Sequence, residues 1–453
     1  MTTLQLDRTK VPQPGPITAI RFPKYITTSL TNGVPVYLVE NHEQPLVSIS
    51  LYFNGGSSLD TISTQGLASV AAEILNKGTA TRTATEIAEA IDFVGGSLGA
   101  SSSWDATGIS TSILSRYLDT AIDLLSDITL NPKFADEELE RIRIQRIAGI
   151  KQAKSDGGYL ADVIFSRNVY GTHPYGFEAG GTESAIAALR TDDLKKYFSN
   201  ISGCSGAFFI VAGDVTEKEI ISKLSSAFAD LKQEHNSSFP RYPIPDTRRP
   251  KASLIEKPQA VQSALRVGHL GIDRAHNDYV ALYVLNMLLG GYFNSRINQN
   301  LREKNGFTYG ARSYFDARKQ TGAFVVSTEV RTEVTAAATR EIASEIRRIA
   351  ELPVTESELS MVKQYIIGSF PLSIETPQQI ANRIATLVLF DLEKDYYDNF
   401  RDAVARITAD DLLRAAKEHL HPDALTIAAS GNTNAIKDGM REFGEVEIKN
   451  DLS

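Results

Sequence analysis

The sequence predicts an α+β protein built twice over: two homologous domains, each a largely antiparallel sheet with helices packed on one face. Three observations lead there. A chain of 453 residues exceeds what one ordinary core organises. Hairpin-like alternating segments are followed by runs of helical periodicity, the pattern of an α+β layer. The same landmarks then recur in the same order at a nearly constant offset.

The offset is read from three pairs. Asp192-Asp193-Leu194 opens a helix that leads to the apolar strand FFIVAGDV around Gly213. Asp410-Asp411-Leu412 does the same before LTIAASGNT around Gly431, and 410 − 192 and 431 − 213 both give 218. PKFADEEL, ending at Leu139, and PVTESEL, ending at Leu359, match at 359 − 139 = 220. Between the copies, residues 236–252 hold Pro240, Pro243, Pro245 and Pro250 with little apolar periodicity, which reads as a linker. The expected domains are therefore 1–235 and 253–453.

Along the first copy, Asn32-Gly33 between YITTSL and VPVYLVE signals a hairpin, and LVSISLYF (46–53) alternates as a strand. GLASVAAEILNKGT (66–79) reads as a buried helix, with Ser63 or Thr64 able to cap its start and Gly78 to close its end. Ser69 and Glu73 lie four apart on one face of this otherwise apolar helix, a placement that core packing alone does not call for. Thr83 and Glu86 form a capping box for a helix whose Ile87, Ile91 and Val94 share a face and which Gly95 ends. GGSLGASSS (95–103) follows a helix and lacks a lysine, so it is a turn into the next strand rather than a phosphate loop. In the second copy, residues 290–315 read as a helix from about Asn294 to Lys304 stopped by Gly306. FTYGARSYF follows as a strand, so that Arg302 falls in the last helical turn and Tyr309 in the strand.

Composition excludes several functions. Lys and Arg total 47 against 55 Asp and Glu, a net charge of −8 without a basic cluster, which argues against nucleic acid or an anionic membrane as partner. Cys204 is alone, so there is no internal disulfide and no cysteine-built metal site; a buried thiol is expected. The start, MTTLQLDRTKVPQPGP, lacks the apolar core of a signal peptide, and no run reaches the roughly 18 apolar residues of a membrane span. A cytoplasmic protein is expected; a periplasmic one whose leader was replaced by Met1 would read the same.

Of the seven histidines, His42, His173, His235, His269 and His276 have no partner at helical or strand spacing. His419 and His421, in HLHP, read as a solvated helix end because no third ligand is nearby. Arg302 and Tyr309 on their own are a cation near a helix C-terminus and a strand tyrosine. Composition and spacing stop at a soluble two-domain protein.

The order of the motifs carries further. From about Tyr25 to Gly444 the chain resembles the pitrilysin/insulinase metallopeptidases, the group that includes mitochondrial processing peptidase and the core subunits of respiratory complex III. The resemblance rests on the opening hairpin, the helix ending in Lys77-Gly78-Thr79, the turn at Gly95-Gly96, His173-Pro174-Tyr175-Gly176 with Gly181-Thr182, and LREKNGFTY. In that family the first helix carries His-x-x-Glu-His: two zinc ligands, and a glutamate that activates the bound water. Counted back from Lys77-Gly78-Thr79, the histidine positions hold Ser69 and Glu73, and the glutamate position holds Ala72. The third ligand, a glutamate on a later helix, aligns with Gly149. None of these is expected to bind metal, and Glu73 is left as a partner for an arginine of the same half. The family's second signature is kept: an arginine and a tyrosine seven residues apart match Arg302 and Tyr309. The resemblance implies that this pair holds the substrate backbone and stabilises the oxyanion.

A chain with the anion-binding half of the site but not the zinc half resembles the zinc-free subunit of a two-chain metalloendopeptidase. The resemblance then implies no cofactor in this chain, zinc in a paralogous partner with an intact His-x-x-Glu-His motif, and unfolded peptides as substrate. The alternative is a catalytically dead peptide-binding or assembly protein, like the respiratory core subunits.

Overall fold

The computed structural model describes residues 20–203, 206–231, 240–246 and 249–452. Cys204, His235, the N-terminal segment and the first part of the proline-rich stretch lie outside the described residues. Among the described residues no helix is long and apolar enough to cross a membrane.

The first sheet comprises β1 (Ile26–Ser29), β2 (Pro35–Glu40), β3 (Leu46–Asn54), β4 (Ser97–Ser102), β5 (Ala106–Leu114) and β6 (Phe208–Gly213) in the order β1-β2-β6-β3-β5-β4. All its pairings are antiparallel except β2 with β6. The second sheet comprises β7 (Lys251–Glu256), β8 (Gln262–Gly271), β9 (Ala311–Ala317), β10 (Gly322–Arg331), β11 (Thr426–Gly431) and β12 (Glu445–Lys449) in the order β12-β7-β11-β8-β10-β9. Here β7 runs parallel to both its neighbours. From β2 and β7 onward the two orders are the same, the structural counterpart of the sequence repeat. Between the sheets, residues 240–246 form neither helix nor strand.

Local chemistry explains the elements. Gly33 takes φ +87°, a conformation that costs other residues dearly, so it turns the β1–β2 hairpin. The helix α1 (Leu67–Glu73) is buried along Ala68, Val70, Ala71 and Ala72. Its start departs from expectation: neither Ser63 nor Thr64 caps it. The Asp60 carboxylate accepts from the N–H groups of Gly66 at 2.9 Å and Ala68 at 3.1 Å instead, reaching the helix from a turn upstream. Thr83 and Glu86 do form the capping box of α2 (Ala84–Phe93).

Each sheet carries its own helices on one face, as the sequence implies, with α1, α2, α3 (Leu118–Leu130) and α4 (Asp136–Ala153) in the first half. The opposite faces are covered as well, by exchange. The helix α5 (Gly157–Tyr170) lays Leu160, Ile164 and Phe165 on Ala323, Val325 and Ala428 of the second sheet. Its counterpart Pro377–Leu389 lays Ile380, Ile384 and Leu387 on Phe208, Ile210 and Ala212 of the first. The two exchanged helices start 377 − 157 = 220 residues apart, the offset of the repeat. Expecting a single covered face treats each half as a unit; the second covered face exists only because the halves are joined.

Candidate functional site

Ser69 and Glu73 point from α1 toward α4, and an arginine stands between them. The Arg146 guanidinium donates to Glu73 Oε2 from Nε at 2.8 Å and from Nη2 at 2.6 Å, and from Nη2 to Ser69 Oγ at 3.0 Å. Arg146 lies one helical turn before Gly149, so the helix that aligns with the family's third ligand supplies a cation instead. Glu73 thus has the arginine of its own half that the sequence left open; which arginine was readable only as a residue one turn from Gly149 on the same face. Ala72 is fully buried and offers no donor, and Gly149 has no side chain. A guanidinium cannot ligate a metal, and this one faces the two oxygens that might. The donor set does not fit a zinc ion.

The loop after α5 completes this corner. Gly66 and Gly181 both have φ +90°, and a Cβ on Gly66 would lie 2.7 Å from Gly181 Cα. Only two glycines allow the backbones to meet there, which brings residues 176–181 beside α1 and α4. Together they enclose a cleft of about 480 Å³ lined by Glu73, Arg146, Gly149, Ile150, Val163 and Phe177, among others.

The Arg302/Tyr309 pair lies across a shared wall. Arg266 on β8 donates from Nε to Asp162 Oδ1 at 2.5 Å and from Nη2 to Oδ2 at 2.9 Å. Asp162 lines the cleft just described, and Arg266 lines a second cavity of about 800 Å³ with Tyr309, Tyr292, Phe293 and Arg312. The helical segment before Tyr309 ends in a wide turn, Asn305 N–H donating to Asn300 O at 3.1 Å, and Gly306 at φ +62° releases the chain. Tyr309 is not in the strand, as the sequence suggested, but in the loop before it: β9 begins at Ala311. The reason is local. Thr328 Oγ1 and Thr308 Oγ1 both donate to Gly310 O, and Ala311 N–H donates to Asn298 Oδ1, so side chains take bonds that a longer ladder would use. Tyr309 is 93% exposed on this fixed loop. Arg302 stacks on Phe293, its Cζ 4.6 Å from the ring centroid, with Nη1 3.5 Å from Glu303. Phe293 therefore links Arg302 to the cavity that Tyr309 lines.

The histidines tell against the sequence reading in one respect. His419 and His421 are not a solvated helix end. His419 Nε2 lies 2.8 Å from Asp278 Oδ2, and the Asp278 N–H donates to His276 Nδ1 at 3.1 Å. The His421 N–H donates to His269 Nε2 at 3.2 Å while His269 Nδ1 donates to Leu270 O, and burial lowers the His269 pKa to about 4. These partners sit in other elements, out of reach of any spacing rule. His276, Asp278 and His419 place three donor atoms within 4.8 Å. Arg414, however, grips both oxygens of Asp278 at 2.5 and 3.0 Å, and its bonds hold that carboxyl well below the usual range. The group is an Arg–Asp–His bridge between a loop and a helix end.

A duplicated α+β scaffold whose first helix aims two polar side chains at an arginine of a later helix defines a peptidase-like class of fold. Comparison with known proteins places it further. The insulinase (peptidase family M16) model matches residues 35–164, and the peptidase M16 inactive domain model matches residues 188–366. The non-peptidase homolog YmxG of Helicobacter pylori is 26% identical over 409 residues, covering 89% of this chain and 93% of its own. An uncharacterized zinc protease, YmxG, of Bacillus subtilis is 26% identical over 352 residues, covering 78% and 85%. The crystal structure of a peptidase M16 inactive domain from Pseudomonas fluorescens superimposes with a TM-score of 0.84 at 26% identity, covering 90% of this chain and 98% of that one. A protease from Helicobacter pylori superimposes at 0.83 with 20% identity, covering 90% and 99%, and bears on the fold alone. The chain belongs to the M16 (insulinase) peptidase family.

Proposed function

We propose that this chain is the zinc-free subunit of a heterodimeric metalloendopeptidase that processes or degrades unfolded peptides in the cytoplasm. In this reading a paralogous partner holds zinc with an intact His-x-x-Glu-His motif. Arg302 and Tyr309 hold the substrate backbone and donate to the oxyanion as the partner's metal-bound water attacks. The observation that carries the reading is Tyr309: an aromatic side chain 93% exposed, on a loop pinned by the Thr308, Thr328 and Asn298 bonds. A tyrosine with only a packing role would be covered.

The test is reconstitution. The chain alone is expected to leave a quenched peptide intact, and addition of a zinc-bearing paralogue to restore turnover. Arg302→Ala and Tyr309→Phe are each expected to lower kcat of the mixture by about 10²-fold, the usual loss of one oxyanion donor. Unchanged turnover in both variants overturns the assignment. A second reading, a peptide-binding or assembly protein, is favoured by the stacking of Arg302 on Phe293, which also suits a purely structural arginine. It predicts association with the partner but no dependence of any hydrolysis on Arg302.

A further inference from the structure

The cleft at the erased metal position has features that a vestige does not need. Four charged residues line it, and each already has an opposite partner within the chain. Glu73 holds Arg146, Glu178 accepts from Arg167 at 2.9 Å, and Asp162 is gripped by Arg266. An entering group therefore meets no unmatched charge, and a charged one would lose its hydration without compensation. Ile150, Ala153, Val163 and Phe177 supply apolar walls. At Gly149 the floor is open: a Cβ built there meets nothing within 4 Å, although a mid-helix glycine is otherwise only a cost to α4. The cleft also adjoins the cavity of Tyr309 through the Asp162–Arg266 wall.

We propose that this cleft is a specificity pocket for one uncharged apolar or aromatic side chain of an extended peptide whose backbone is held at Arg302 and Tyr309. The position that carries a zinc ligand in active relatives then does a second job by being empty: Gly149 makes room for the side chain. Arg146, locked by Glu73 and Ser69, keeps α1 and α4 at the spacing the pocket requires. The proposal rests on the Arg302/Tyr309 reading for the peptide's path and on the cleft's own lining for its selectivity.

Gly149→Leu fills the pocket without disturbing packing and, by removing a mid-helix glycine, keeps or raises the melting temperature. Binding to the full chain is followed by fluorescence anisotropy with two labelled peptides, one carrying a single Phe among Ala and Ser residues and a twin with that Phe replaced by Ala. Wild type is expected to prefer the Phe peptide by about ten- to a hundredfold, the value of burying one large apolar side chain. Gly149→Leu is expected to abolish the preference while binding the Ala twin as before, and Gly149→Ala to reduce it only in part. Arg302→Ala is expected to weaken both peptides equally. No preference in wild type, or an undiminished one in Gly149→Leu, overturns the pocket. If Arg302→Ala changes neither peptide while Gly149→Leu still erases the preference, the pocket stands and the role of Arg302 falls.

Discussion

Arg146 reaches Glu73 through two nitrogens and Ser69 through one, with about a quarter of its own side chain and a third of that of Glu73 exposed. Its removal strips a half-buried carboxylate of its counter-charge. Arg146→Ala is expected to lower the unfolding free energy by about 1–2 kcal/mol, discounted for exposure, in a urea titration. Pairing Glu73→Gln with Arg146→Met should recover much of that loss, because no charge is then left alone; a double variant worse than the single would show that the bonds themselves, not the charge balance, matter. The same contact bears on metal binding. A chain with Ser69→His, Ala72→Glu, Glu73→His and Gly149→Glu is expected to stay metal-free in a cobalt titration until Arg146 is also replaced, because the guanidinium stands where the cation would. Stoichiometric cobalt binding with Arg146 in place would refute this. At this scale the sequence was partly legible. That Ser69 and Glu73 share a face could be read from helical periodicity, whereas the correspondence of Ser69, Ala72, Glu73 and Gly149 to the family's zinc motif came only from the resemblance. Arg146 could be read only as a residue one turn from Gly149, and the Asp162–Arg266 wall and the histidine contacts not at all, because each joins elements far apart in the chain.

Among the elements, the exchanged helices have the most testable consequence. Ile384, fully buried, belongs by sequence to the second half but packs on Phe208, Ile210 and Ala212 of β6 in the first sheet. Ile384→Ala is expected to cost about 2–5 kcal/mol, the range for a large-to-small change in a core. Its local signature distinguishes this packing from ordinary destabilisation: under native conditions the amides of β6 should lose hydrogen-exchange protection more than those of β11. The reverse pattern would mean that the helix serves its own half. Strands, capping boxes and the repeat were visible in the sequence because each is a local pattern. Two features were not. The cap of α1 comes from Asp60, a turn away from the usual position, and the strand containing Tyr309 was overextended because threonine and asparagine side chains intercept its ladder. The covered rear faces of the sheets were also hidden: an amphipathic helix shows that it has an apolar face, not whose sheet that face will meet.

For the whole molecule, the exchange means that neither half carries a complete core. A fragment of residues 1–235 would leave the rear of its sheet at Phe208 and Ile210 bare, and Leu160, Ile164 and Phe165 of α5 without a sheet. The seam adds a polar clasp. The Arg318 guanidinium lies 4.1 Å from the Trp104 ring and 4.9 Å from those of Tyr170 and Tyr175, and donates to Tyr175 O at 3.1 Å. Tyr175 in turn donates to Asp105 at 2.5 Å, and Asp105 accepts from the Lys319 N–H. Trp104 is the chain's only tryptophan, so its emission reports on this seam. Cut within 236–252 and purified separately, the halves are expected to bind a hydrophobic dye and to lack a cooperative melt. Mixed, they should recover both the melt and the Trp104 emission of the intact chain. Buried groups also set the response to acid. Burial lowers the pKa of His173 and His269 from 6.5 to about 4, so between those values the unfolded chain takes up protons that the native chain refuses, and stability falls as pH drops. Burial raises the Asp60 pKa from 3.8 to about 7, which acts in the opposite sense, its contribution fading as pH rises through that range. Asp105 of the seam is pushed up by burial as well and acts in the same sense as Asp60, so two histidines are opposed by two carboxyls and the melting temperature should change little between pH 6.5 and 4. Asp60→Asn should make it decline toward pH 4 by removing one opposing group; a flat profile in that variant would show that His173 and His269 are not held neutral by the fold.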